Sequence, residues 1–246
     1  MSTPRVRMFA GPNGSGKSTL NTVLDRTLLG VYINPDEIEK AIRQFDFLDL
    51  SAYRTTATQE KIDTFFSHHP LIQKADLTEE AALLRVTDNR ISFFEVMVNS
   101  YFASVCADFI RHKLLEQRVS FTFETVMSST DKIAFLQKAQ QAGYRTYLYY
   151  IATQDPALNI SRVKHRAAQG GHDVPDEKII SRYYRSLDLL ADAVRCSDRA
   201  YIFDNSGRER LWVAQIDGGI ELEYKTASIP QWVYKYLTAA HNRSST

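Results

Sequence analysis

The stretch Gly11-Pro12-Asn13-Gly14-Ser15-Gly16-Lys17-Ser18 satisfies G-x-x-x-x-G-K-[ST] at every fixed position. Glycines at these places let successive backbone N–H groups converge on phosphate oxygens, and a helix start behind them adds its dipole. In such a loop Lys17 reaches the β- and γ-phosphates of a nucleoside triphosphate, and the Ser18 hydroxyl ligates Mg²⁺. The pattern carries weight only where it joins a strand to a helix. Its neighbours supply that setting. Residues 5–10 (Arg-Val-Arg-Met-Phe-Ala) read as a buried strand, and 18–29 read as a helix stopped by Gly30. With Thr19 included, residues 11–19 form the candidate nucleotide site.

Working outward from the loop, strand and helix patterns alternate. Residues 31–33 are a short strand, and Asn34-Pro35-Asp36-Glu37 starts a helix, with Asn34 as cap, Pro35 at the first position and acids in the first turn. Residues 119–124 alternate as a strand, 131–142 form a helix closed by Gly143, and 144–152 are a strongly β-prone run. Asp155-Pro156 opens a helix that ends at Gly170-Gly171, Pro175-Asp176-Glu177 opens the next, and 200–204 are another strand. Repeated βαβ units predict an α/β fold, a mostly parallel sheet with helices on both faces. The expected organisation is one domain over 1–246. It carries a mostly helical insertion at about 45–118 and, within 208–246, a hairpin around Asp217-Gly218-Gly219 followed by a helix from Pro230. Within the insertion, Thr78-Glu79-Glu80 opens a pattern in which Phe94, Val98, Tyr101, Val105 and Phe109 recur at helical spacing, the mark of a core-facing stripe. His68-His69-Pro70 reads as a turn between helices. Adjacent histidines point in different directions, which argues against a shared metal ion.

The chain has 246 residues, with 30 Lys+Arg against 29 Asp+Glu and a net charge of +1. Such balance excludes a broad polyanion-binding surface, so nucleic acid is not the expected partner. No apolar run approaches the ~18 residues that span a bilayer. Met1-Ser2-Thr3-Pro4-Arg5 has no signal-peptide pattern, and two cysteines, Cys106 and Cys196, make no disulfide framework, so a cytoplasmic location is expected. The base-reading N-K-x-D of GTP switches is absent, as is a conventional strand ending in a Walker-B aspartate.

Three acids end strands, where ligands gather in an open parallel sheet: Asp36, Glu124 and Asp204. Asp36 suits a general base that accepts the proton of an attacking hydroxyl, or a first-turn acid of its helix. Glu124 closes Phe121-Thr122-Phe123-Glu124 and would reach the crevice from a buried strand, while Asp204-Asn205-Ser206-Gly207 reads first as a turn. Arg162 and Arg166, four residues apart, share a helix face, and Lys178, Arg182 and Arg185 form a second stripe opposite Ile180, Tyr183, Leu187, Leu190 and Val194. Gly170-Gly171-His172-Asp173 joins the two helices as a flexible corner, the layout of an arginine-bearing lid that screens transferred charge and excludes water. Residues 160–185 hold six Lys+Arg against three Asp+Glu, a local +3, so the rest of the chain sums to −2.

Together these pieces resemble the zeta-toxin family of P-loop kinases. The matching segments are Ala10 to Thr19, Ile33-Asn34-Pro35-Asp36, Phe121-Thr122-Phe123-Glu124-Thr125, Arg162…Arg166…Gly170-Gly171-His172-Asp173-Val174-Pro175 and Tyr201-Ile202-Phe203-Asp204-Asn205-Ser206. The likeness covers 5–44 and 119–207 and is poor between them. It implies ATP- and Mg²⁺-dependent phosphorylation of a small-metabolite hydroxyl, in characterised members the amino-sugar 3′-hydroxyl of UDP-N-acetylglucosamine. Carried over by position, Lys17 and Ser18 bind phosphate and Mg²⁺, and Asp36 is the base. Glu124 and Thr125 hold the acceptor, and Arg162 with a basic group near His172 stabilises transferred charge; active family toxins tend to carry arginine at that last place. An antitoxin partner is a further implication. The alternatives are a kinase for another nucleotide or a nucleic-acid end, and a non-catalytic ATP-binding regulatory module.

Overall fold

Runs of β-branched and aromatic residues set the strands, several of them ended by glycine, asparagine or aspartate. The computed structural model describes residues 3–169 and 173–238. The described strands are β1 (Arg5–Ala10), β2 (Val31–Ile33), β3 (Phe47–Asp49), β4 (Arg85–Thr87), β5 (Arg90–Ser92), β6 (Phe121–Thr125), β7 (Arg145–Ala152), β8 (Arg199–Asp204), β9 (Leu211–Asp217) and β10 (Glu221–Tyr224). The chain divides into a unit of Met1–Leu29 with Glu124–Thr246 and a unit of Gly30–Phe123.

In the first unit the strands run in the order β10-β9-β8-β7-β1. β1, β7 and β8 are parallel, while β9 and β10 return antiparallel. Parallel neighbours need a crossover. Between β7 and β8 it is made by the helices Pro156–Ala168, Asp176–Asp188 and Leu190–Arg195. One sheet face is mostly apolar: Val6, Met8, Leu148, Ala200, Ile202 and Ala214 are fully buried. Tyr150 lies among them, its hydroxyl bonded to Ser186 Oγ at 3.0 Å and its ring 6.1 Å from that of Trp232. The consequence for function is directional. The glycine loop, the turn after Ala152 and the turn after Asp204 all leave the same edge of the parallel strands, the carboxyl edge where ligands collect.

In the second unit Val31–Ile33 pairs in parallel with Phe121–Phe123. The helix Pro35–Phe45 packs on Ser100–Glu116. A separate antiparallel sheet has the order β3-β5-β4.

Three expectations change. The helix expected over 18–29 is a 3₁₀ turn at Lys17–Thr22 followed by Arg26–Leu29. Polar side chains compete with the helix ladder there: Thr19 Oγ1 donates to Gly16 O, Thr22 Oγ1 donates to Thr19 O, and Asp25 Oδ1 accepts from the Thr27 N–H. Nor does the stripe from Thr78 to Phe109 lie on one helix. Thr78–Ala81 ends at once, and Asp88 and Asn89, both at positive φ, make a two-residue hairpin turn between β4 and β5 before the Ser100–Glu116 helix starts. Val105 and Phe109 are core, whereas Phe94 is 83% exposed. The helix that opens at Pro175-Asp176-Glu177 breaks at Leu189, and Ile180 faces outward while Ile179 takes the buried position.

His69 also has a plain structural role. Its Nδ1 accepts the Leu71 N–H as cap of the Pro70–Lys74 helix, and its Nε2 meets Asp108 at 3.1 Å. Among the described residues no cluster of three or more His, Cys, Asp or Glu could hold a metal ion, and no helix is long and apolar enough to cross a membrane.

Candidate active site

The glycine loop is held from several directions inside the first unit. Gly11 donates its N–H to Thr125 O at 3.3 Å, which seats the loop beside the end of β6. A Cβ on Gly11 would lie 2.0 Å from Ile151 O, and one on Gly14, at φ +72, would lie 2.5 Å from Asn159 O. Both positions therefore accept only glycine. Gly14→Ala adds backbone strain to that overlap and should lower unfolding stability by about 2 kcal/mol, read from chemical denaturation.

Side chains brace the same loop. Asn159, fully buried in the Pro156–Ala168 helix, donates its amide to Asn13 O and accepts from Thr153 Oγ1. Asn205 donates Nδ2–H to Ser15 O at 2.8 Å, and its own N–H binds Ala152 O at 2.8 Å. Arg210 donates to Thr19 O at 2.9 Å and to Thr19 Oγ1 at 3.0 Å. Lys17 Nζ donates to Gly11 O at 2.9 Å and Pro12 O at 3.0 Å, so its cation lies at the loop. Ser18 and Thr19 are exposed on the turn that follows.

The Pro156–Ala168 helix begins with Asp155 capping Ala157 N–H at 2.8 Å and Pro156 at its first position. Arg162 is one turn beyond Asn159 on the same face, and its Nη1 is buried with no hydrogen-bond partner among the described residues. Arg166 is exposed. The partner helix Asp176–Asp188 packs on the first through Ile160, Val163, Val174 and Ile179, and Lys164 Nζ meets Asp176 at 2.6 Å. Tyr183 ties that helix to the sheet by donating to Thr153 O at 2.6 Å, and burial raises its phenol above the ordinary value. The corner Gly170-Gly171-His172 lies outside the described residues.

Of the three strand-end acids, Glu124 is buried at the end of β6, and the adjacent Thr125 Oγ1 accepts the Met127 N–H at 3.0 Å. Asp204 is a turn and packing residue, as its sequence suggests: it accepts from Ser206 N–H at 3.0 Å, Ser206 Oγ at 2.9 Å and Trp232 Nε1 at 2.6 Å. Asp36 belongs to the other unit, exposed in the first turn of the Pro35–Phe45 helix, its N–H capped by Asn34 Oδ1 at 2.9 Å.

The residues present fit a bound polyphosphate. A loop that Cβ atoms would block, the Lys17 cation held at it and a buried guanidinium nitrogen with no partner among the described residues belong to one unit. Buried unpaired polar atoms are costly unless a ligand satisfies them. Mg²⁺ keeps most of its waters and takes one or two protein oxygens beside phosphate. Ser18, exposed directly after Lys17, suits that role.

The zeta toxin family model matches residues 95–217, half of the chain. The chain belongs to the zeta toxin family. The matched span holds Glu124, Thr125, Arg162 and Arg166, while the glycine loop and Asp36 lie outside it as separate observations. Two of the solved structures that share the fold illustrate the likeness. The complex of AvrRxo1-ORF1 and AvrRxo1-ORF2 with ATP is 15% identical with a TM-score of 0.56, covering 92% of this chain and 61% of that one. The PezAT chromosomal toxin–antitoxin system of Streptococcus pneumoniae is 15% identical with a TM-score of 0.54, covering 97% and 80%. An uncharacterized protein of Haemophilus influenzae is 28% identical over 72 residues, 29% of this zeta toxin family chain and 51% of that protein. The chain thus spans about half of that relative.

Sequence reading missed Asn159, Asn205 and Arg210. For Asn159 a signal existed: asparagine is a poor residue for a helix interior, and this one stands three residues before the arginine already singled out.

Proposed function

We propose that the chain is an ATP-dependent kinase acting on a hydroxyl of a small metabolite, with the 3′-hydroxyl of UDP-N-acetylglucosamine as the acceptor favoured by family membership. One observation carries the reading: the braced glycine loop with Lys17 held at it and, one turn beyond the bracing Asn159, an Arg162 whose buried Nη1 has no hydrogen-bond partner among the described residues. Lys17 and the loop N–H groups bind the β- and γ-phosphates. Arg162, supported by Arg166, offsets the charge that spreads over the transferring phosphoryl group. Asp36 orients the acceptor hydroxyl and takes its proton as the oxygen attacks phosphorus, while the bond to ADP breaks. Glu124, Thr125 and His172 complete the acceptor side. Bound at Ser18, Mg²⁺ would neutralise charge on the β- and γ-phosphates.

A toxin role with an antitoxin partner is supported by the toxin–antitoxin system among the fold relatives. The protein incubated with γ-labelled ATP, UDP-N-acetylglucosamine and, in parallel, a whole metabolite extract should yield a phosphorylated sugar nucleotide by mass spectrometry. Label in a different metabolite would replace the acceptor and keep the kinase. Tight ATP binding with no labelled product in any pool would point instead to a regulatory nucleotide-binding module.

A further inference from the structure

We propose that Asn159 and Asn205 are positioning residues that aim the loop's amide N–H groups at phosphate, an inference resting on the nucleotide-binding reading of the same loop. The two asparagines reach the loop from separate elements and donate to alternate carbonyls, Asn13 O and Ser15 O. In a planar trans peptide the C=O of one residue and the N–H of the next point in opposite directions. Holding Asn13 O toward Asn159 therefore turns the Gly14 N–H away from it, and holding Ser15 O toward Asn205 does the same for the Gly16 N–H. The intervening Ser15 N–H is already used, on Pro12 O at 3.3 Å. Neither the Gly14 nor the Gly16 N–H is committed to another described residue. The loop thus keeps two donors for an anion because two side chains hold its carbonyls outward.

Each asparagine is itself fixed. Asn159 Oδ1 is taken by Thr153 Oγ1, which settles its amide orientation, and the Asn205 backbone is pinned to Ala152 O. Asn159 also fixes where its helix sits against the loop, and with it Arg162 one turn later. Without the brace, the 13–14 peptide is free to flip in the absence of ligand, and binding must then restore its orientation at a cost in affinity.

The test compares Asn159→Ala and Asn205→Ala with the wild-type protein in titrations of MgATP, inorganic tripolyphosphate and AMP. The expected result is a dissociation constant for MgATP and tripolyphosphate raised at least tenfold in each variant, with AMP affinity within twofold of wild type. AMP lacks the β- and γ-phosphates that the loop would hold, so a merely loosened fold would weaken it in parallel, and that outcome overturns the proposal. So do variants that bind MgATP within twofold of wild type. Asn205 is only partly buried, so Asn205→Ala carries the test alone if Asn159→Ala does not fold. Wild-type protein that binds neither MgATP nor tripolyphosphate removes the nucleotide reading, and the inference with it.

Discussion

Replacing Lys17 by alanine should raise the MgATP dissociation constant by about 10³-fold, which in an ordinary calorimetric titration reads as no binding. The ammonium group belongs to the loop and is held at it by two loop carbonyls, Gly11 O and Pro12 O. Phosphate oxygens offer a far stronger partner than neutral carbonyls, because both members of the new bond are charged. The same two bonds set the structural cost: their loss should lower stability by about 1–2 kcal/mol, so the variant stays folded and the binding result stands by itself. Lys17→Arg should not restore affinity, since a planar guanidinium cannot replace a compact ammonium inside a loop whose walls already exclude a Cβ. If Lys17→Ala binds MgATP within threefold of wild type, the loop is not a triphosphate site.

The readable part of this fold was readable for local reasons. The glycine loop announces itself because its geometry needs particular residue types at fixed spacing between a strand and a helix, and the strands after it because long parallel strands are apolar on both faces. β7 and β8 were expected within one residue of where they lie, and the hairpin of β9 and β10 turns at the expected Asp217-Gly218-Gly219. Local reading failed where side chains compete with the backbone. Thr19, Thr22 and Asp25 each satisfy a backbone group and so interrupt what spacing suggested was one helix. Asp88-Asn89 was hidden inside a helical stripe. Asparagine tolerates a positive φ, and here Asn89 also serves the Ala57 N–H, Ser51 Oγ and Thr55 O.

The site divides in the same way. Lys17, Ser18, Asp36 and Arg162 were legible as candidates because each stands in a short pattern with its neighbours. The braces were not, because Asn159 is 146 residues from the carbonyl it holds and Asn205 is 190. Only the parallel sheet brings them together, since its strands all end on the side where the loop begins. A residue whose partner is that distant leaves no periodic trace in the sequence, only an unfavourable choice at its own position.

Asp36→Ala should leave MgATP affinity within twofold of wild type and lower the rate of phosphoryl transfer by about 10²-fold or more, the usual contribution of a positioned base. The competing account is that Asp36 merely favours the first turn of its helix, as an acid there does by a few tenths of a kcal/mol. Glu37 separates the two. It occupies the same first turn, is also exposed and meets the same helix dipole. Under the bland account Asp36→Ala and Glu37→Ala shift the melting temperature alike and neither touches turnover. Under the catalytic account the melting temperatures still match, but only Asp36→Ala slows the reaction. Asp36→Asn sharpens the comparison, because the amide keeps the shape and the hydrogen-bonding oxygen yet cannot take a proton. It should be as slow as Asp36→Ala if the carboxylate accepts the proton, and close to wild type if its task is orientation. The measurement is initial-rate transfer from γ-labelled ATP to UDP-N-acetylglucosamine, or to whichever metabolite fraction takes up label. Near-full transfer by Asp36→Ala would remove the base assignment while leaving the phosphate loop untouched.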